Sequence, residues 1–203
     1  MTFTIKELPQ QLQQSMIDKN VWYKSCPVQL EKLKLISVEY FDFSGKVKEG
    51  CMVVHTVIAK AVVGIFKELA DLKFPIAKMS TIDRYEGDDD RSMKDNNSSC
   101  FNYRKIANSS ELSMHSYGLA IDINPLQNPY IVIDPINHSI SVHPKQGVSF
   151  LNRHNQRPGM VEPIVHIFKK YGFDVWGGEW NTPIDYHHFQ TNRDLAKRLH
   201  LFH

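Results

Sequence analysis

Between Leu33 and Phe43 side chains repeat every second residue, and this alternation limits the fold more than any other pattern in the chain. Ile36, Val38 and Tyr40 fall on one side, while Leu35, Ser37, Glu39 and Phe41 fall on the other, which suits a strand. Ser44-Gly45 supplies a turn and Val47 to His55 a second strand, so the pair is expected to close as a hairpin. Ile58, Val62, Ile65, Phe66 and Leu69 then recur at helical spacing and predict a helix that ends before Pro75. Ile76 to Ile82 predicts another short strand, and EGDDDRSMKDNNSS has the composition of a long surface loop.

Farther along, GLAIDIN (118–124) sets Leu119, Ile121 and Ile123 on one face of a strand and Ala120, Asp122 and Asn124 on the other, so Asp122 points away from the apolar face. Residues 128–158 are rich in Pro, Asn, Gly and His with little periodicity, which predicts irregular structure. Val161, Ile164, Val165 and Phe168 mark a short amphipathic helix stopped by Gly172, and a last helix should begin near Asn192. Strands dominate the first half and helices are scattered among them. That order predicts an α+β fold, an antiparallel sheet flanked by helices.

With 203 residues the chain suits one ordinary domain, and 42% apolar with 23% charged residues suits a globular one. Lys and Arg number 24 against 22 for Asp and Glu, so a net charge of +2 gives no electrostatic reason to bind nucleic acid or an anionic membrane. Cys26, Cys51 and Cys100 are odd in number and lack CxxC spacing, which argues against a disulfide framework and a Cys-rich zinc module. No apolar run approaches the roughly 18 to 20 residues of a membrane span. The start MTFTIKELPQQLQQ lacks the basic-then-apolar layout of a secretory signal, so the expected location is the cytosol, or the cell envelope if a signal was removed.

Two segments concentrate chemistry. In SMHSYGLAID (113–122) a His on a loop precedes an Asp on a strand, and one metal ion bridges such a pair readily. Zinc takes imidazole nitrogen and carboxylate oxygen at about 2.0 to 2.2 Å, and a catalytic site uses three protein ligands with one position left for water. The third ligand is expected from DYHHF (185–189), where Asp185 precedes His188 by three residues and is available to accept a proton from that water. Chemistry alone leaves His187 and His188 both open as the ligand. In an extended segment they would point to opposite faces, so only one would reach the metal.

SMHSYGLAIDINPLQNPY and WGGEWNTPIDYHHFQ resemble the SxHxxGxAxD and WGGxW…DxxHF signatures of the VanY-type D-alanyl-D-alanine carboxypeptidases and their L-alanyl-D-glutamate endopeptidase relatives. CPVQLEKLKLISVEYFDFSG, DDDRSMKDNNSSCFNYR and RPGM resemble further stretches of one bacterial subgroup, so the likeness covers most of residues 26–190. The resemblance implies a hedgehog/DD-peptidase-like fold over residues 26–203, with residues 1–25 as an N-terminal extension. It implies one Zn²⁺ held by His115, Asp122 and His188, with Asp185 as general base and Arg104 binding the substrate carbonyl or carboxylate. Arg84 is a second candidate for the arginine, about thirty residues before His115. The implied reaction is hydrolysis of peptidoglycan stem peptides by metal-activated water, with carboxypeptidase action favoured over endopeptidase action. A non-catalytic zinc-bearing module like the hedgehog signalling domain is the alternative from another class, and the retained Asp185 weighs against it.

Several residues carry two readings. Trp176 and Trp180, around Gly177-Gly178, either line a substrate groove or pack on the sheet. Ser113 either contacts substrate and orients a ligand, or caps a turn. His138, His143, His154, His166, His200 and His203 are expected to face solvent or serve structure, and Asp88 to Asp90 to form a solvated loop, since they lack the alternating ligands of a calcium loop.

Overall fold

A computed structural model describes residues 1–107 and 109–199 of the chain. The expected hairpin forms as β2 (Leu33–Phe41) and β3 (Val47–His55), following β1 (Phe3–Glu7) and α1 (Gln10–Asp18). β1 adds to the hairpin antiparallel, with Phe3 opposite Val38 and Glu7 opposite Lys34, so the first residues of the chain complete its largest sheet in the order β1-β2-β3. Met16 and Val21 also enter the core. Residues 1–25 are therefore woven into the same body as the hairpin.

α2 (Ala59–Asp71) lies over β1 and β2 and buries Val62, Ile65, Phe66 and Leu69, the residues whose spacing predicts it. The following segments depart from expectation. Ile76 to Ile82 yields only β4 (Lys78–Met79), and the acidic loop contains α3 (Asp89–Lys94) and β5 (Asn97–Ser98), which pairs parallel with β4. The helix arises because the Asp88 carboxylate accepts the Arg91 N–H at 3.0 Å, capping a first turn that carries Asp89 and Asp90.

β6 (Ala120–Asp122) is buried on both faces. The 128–158 region, expected to be irregular, holds a hairpin of β7 (Tyr130–Ile133) and β8 (Ile140–His143). Beyond it come α4 (Val165–Lys170), β9 (Val175–Trp176), β10 (Ile184–Asp185), β11 (His188–Gln190) and α5 (Arg193–Arg198). Gly172, at φ +86°, ends α4 in the left-handed conformation that its position requires, and Asn192 caps α5 through the Asp194 N–H at 2.9 Å.

The fold is α+β, but in place of one sheet it has three small antiparallel ones, β1-β2-β3, β6-β11-β9 and β10-β7-β8, with the parallel pair β4-β5. A single core joins β1-β2-β3 to β6-β11-β9 through Leu33, Ile36, Met52, Phe66, Phe168 and Phe189, and no residue of β10-β7-β8 belongs to it. No helix among the described residues is long and apolar enough to cross a membrane. All three cysteines are free thiols.

Candidate metal centre

The β6–β11 ladder places His188 directly opposite Asp122 and Phe189 opposite Ile121. Alternation along β11 then sends Phe189 into the core, where its ring stacks on Phe168 at 3.9 Å, and leaves His188 beside Asp122. The third group comes from the 3-10 turn Met114–Tyr117, whose start is capped by Ser113 Oγ accepting the His115 N–H at 3.3 Å. Gly118 ends that turn at φ +64°, and a Cβ there would lie 2.7 Å from the His55 backbone nitrogen. Only glycine lets the turn sit against β3, where His55 N–H donates to the Gly118 carbonyl at 3.0 Å.

His115 Nε2 and His188 Nδ1 stand 3.1 Å apart, His188 Nδ1 is 3.1 Å from Asp122 Oδ1, and His115 Nε2 is 3.2 Å from Asp122 Oδ2. A tetrahedral ion with arms of about 2.0 to 2.1 Å needs donor separations of about 3.3 to 3.4 Å, so the three groups lie close to the spacing such an ion requires. The outward nitrogens point the same way. His115 Nδ1 donates to the Cys100 carbonyl at 2.5 Å, and His188 Nε2 faces Gln190 Oε1 at 2.9 Å, tautomers assigned from those acceptors. Each ring therefore aims its inner nitrogen at Asp122, with its outer nitrogen anchored behind, the usual construction around a ligating imidazole. The buried His115, Asp122 and His188 are together compatible with holding a zinc ion.

Charge reinforces the grouping. Burial alone would raise the Asp122 pKa, but His115 and His187, with hydrogen bonds from His115 and His188, hold it well below 3.8. Burial would lower the His188 pKa, and Asp122 reverses this and raises it above 6.5. For His187 burial is again the largest influence, outweighed by Asp185 and Asp122, which lift it to about 10. A divalent cation replaces such protons when it binds.

His187 corrects one expectation. Tyr186 and His187 form the turn between β10 and β11, so the segment is not extended there and both histidines turn inward. His187 Nε2 lies 3.9 Å from Asp122 Oδ2 and 3.0 Å from Asp185 Oδ1. Despite that contact, Asp185 Oδ1 is buried without an aligned hydrogen-bond partner. Gly177 makes its place: a Cβ on Gly177 would lie 2.5 Å from the Asp185 carbonyl oxygen and 2.8 Å from its Cβ.

A cleft of about 470 Å³ opens over the centre, with Asp185, Arg104, Trp180, Ser113 and Arg193 among its walls. Arg104 pairs with Asp89 at 2.8 Å, and its backbone is fixed by Ser116, whose hydroxyl both accepts from Arg104 N–H and donates to its carbonyl. Its Nε is buried without a partner among the described residues. Arg84 sits exposed on the 3-10 turn Ile82–Tyr85 and does not line the cleft. The two tryptophans divide: Trp180 stands 5.4 Å from the His188 ring in the cleft wall, whereas Trp176 stacks toward Phe189 and donates Nε1–H to the Tyr186 carbonyl at 2.9 Å.

His143, expected to face solvent or serve structure, lines the cleft with Tyr130, and Asp89, expected in a solvated loop, partners Arg104. His200 and His203 lie outside the described residues. Gln190 was missed from sequence, although it sits two residues beyond His188 on one strand and so shares its face. No curated protein and no solved structure matches the chain. The family model of the D-alanyl-D-alanine carboxypeptidases matches residues 107–191, a span that contains His115, Asp122, Asp185 and His188 and begins just after Arg104. Over that segment the chain is similar to the D-alanyl-D-alanine carboxypeptidase family.

Proposed function

We propose that the protein is a zinc peptidase acting on peptidoglycan stem peptides, as a D-Ala-D-Ala carboxypeptidase. The observation that carries this reading is the convergence of His115, Asp122 and His188 on one point beneath a cleft that His115 and His188 line, with Asp185 beside them in the same wall. The fold is read as DD-peptidase-like and related to the hedgehog domain, with residues 26–203 forming the catalytic part and residues 1–25 extending its first sheet.

His115, Asp122 and His188 would hold a zinc ion, which would supply Lewis acidity and activate a water for attack. Asp185 would take the proton of the attacking water and hand it to the leaving amine. Arg104 faces the charge that develops on the carbonyl oxygen, with Asp89 orienting its guanidinium. Trp180 and Ser113 bound the space for the peptide beside His188 and His115. Arg104 and Arg193 both line the cleft, which suits a substrate with a free carboxylate and favours removal of a terminal residue over internal cleavage.

The test is hydrolysis of a purified muropeptide by wild type and Asp185→Ala at equal zinc content, with products identified by mass spectrometry. Release of D-alanine, with a loss of about 10²- to 10⁴-fold in the variant, is expected. Cleavage between L-Ala and D-Glu would replace the carboxypeptidase assignment with the endopeptidase one, and equal rates for the two proteins would remove Asp185 from the mechanism.

A further inference from the structure

We propose that His187 is a positioning residue that clamps Asp185 in line with the metal centre, an inference that rests on the assignment of Asp185 as base. His187 is only 3% exposed, and its ring spans three fixed points. Nδ1 lies 2.7 Å from the Asn128 carbonyl and donates to it, while Nε2 stands 3.0 Å from Asp185 Oδ1 and 3.9 Å from Asp122 Oδ2. The ring thus links the ligand carboxylate to the base carboxylate, with Nε2 turned to Asp185 at 3.0 Å in preference to Asp122 at 3.9 Å.

The anchor behind His187 is rigid. Asn128 Oδ1 accepts from Val161 N–H at 3.0 Å and from Arg153 Nη2 at 2.9 Å, and its Nδ2 donates to the carbonyls of Ile123 at 3.0 Å and Gly159 at 2.9 Å. Arg153 is itself held by both Glu162 oxygens, at 2.6 and 2.8 Å, and its guanidinium lies over the Tyr186 ring at 4.3 Å. A continuous set of contacts therefore runs from the segment around Arg153 through Asn128 to His187 and ends on Asp185. On the opposite side Gly177 backs Asp185 closely enough to exclude a methyl group. Between these walls the carboxylate has little freedom to rotate. Because the His187 contact is not aligned as a hydrogen bond, a lone pair on Oδ1 stays available for a proton.

Two substitutions separate the two ends of the ring. His187→Gln places an amide nitrogen near the position of Nε2 and keeps the reach to Asp185, whereas His187→Asn keeps only the equivalent of Nδ1 and the bond to Asn128. The experiment measures kcat and KM on a muropeptide, zinc bound per chain and the thermal midpoint for both variants, His187→Ala and Asp185→Asn. His187→Ala is expected to lower kcat about 10- to 100-fold, with KM within about twofold and zinc stoichiometry unchanged. His187→Gln should recover about tenfold of that loss, and His187→Asn should not. Wild-type kcat in His187→Ala, losses that follow zinc content or unfolding, or equal activity of the Gln and Asn variants would overturn the proposal. If the alanine variant does not fold, the Gln and Asn comparison decides. An inactive Asp185→Asn beside a fully active His187→Ala would remove the positioning role alone, whereas an active Asp185→Asn would remove the base on which it rests.

Discussion

Replacing Gly177 with alanine perturbs Asp185, the proposed base, without touching it chemically. The added Cβ would stand 2.5 Å from the Asp185 carbonyl oxygen and 2.8 Å from the Asp185 Cβ, both on a residue with little room to move. Ordinary contact at about 3.5 Å is restored only if β10 or the 3-10 turn Gly177–Glu179 shifts by roughly 1 Å. Overpacking of that kind costs about 1 to 3 kcal/mol of stability. A displacement near 1 Å at a reacting group costs on the order of 10²-fold in rate, so activity should fall further than stability alone accounts for. His115, Asp122 and His188 lie on other elements, and zinc stoichiometry should stay at one per chain. The assay is kcat at saturating muropeptide for protein shown by its thermal transition to be fully folded, with bound zinc measured on the same sample. Wild-type kcat in folded, zinc-loaded Gly177→Ala would refute the claim that this glycine exists to seat Asp185.

Gln190→Leu removes the acceptor behind His188 Nε2 and should weaken zinc binding about 10- to 100-fold, read by competition with a chromogenic chelator; an unchanged affinity would show that the His188 orientation is set by the ladder alone. His55 gives a pH dependence away from the metal. Burial, with a smaller push from Lys32, holds its pKa down to about 4 against an ordinary 6.5. The folded state favours the neutral ring, so this contribution, about 3 kcal/mol at most, is present above pH 6.5 and is lost as pH falls toward 4. His55→Asn keeps an acceptor for the Val57 N–H without titrating there, and its thermal midpoint should fall less steeply than wild type over that range; parallel curves would contradict the assignment.

The parts of the fold that sequence made legible are those whose burial follows one period. β2 and α2 each bury one face, so alternation or helical spacing survives in their residues, whereas β3 is buried on both faces from Met52 to His55 and is legible as the partner of β2 across the Ser44-Gly45 turn. β7 and β8 bury little, and Pro129, Pro135 and Pro144 surround them, so their short apolar runs read as irregular chain. α3 was hidden because acidic residues suit a loop and a helix N-terminus equally, and only the cap on Arg91 N–H separates the two. In the site, residue types and spacing were enough to nominate His115, Asp122 and His188. The place of His187 was not legible, since it depends on a turn at Tyr186-His187 in a stretch that looks extended, and on Asn128 being brought to it from some sixty residues away.

The pairing of His188 with Phe189 explains why core and metal centre stand or fall together. Side chains on a strand alternate between faces, so shifting β11 by one residue against β6 would send the phenylalanine toward Asp122 and the imidazole into the apolar interior. Phe189 resists that shift because it fills a fully buried slot between Phe168 and Trp176, and burying an aromatic ring of this size is worth about 1.5 to 3 kcal/mol. A buried, unpartnered imidazole in its place would add a further penalty of about 1 to 3 kcal/mol. The register that brings two ligands face to face is thus selected by hydrophobic packing before any cation arrives. An ion bound there would need only to settle His115, whose turn is already fixed by Ser113, Gly118 and the Cys100 carbonyl.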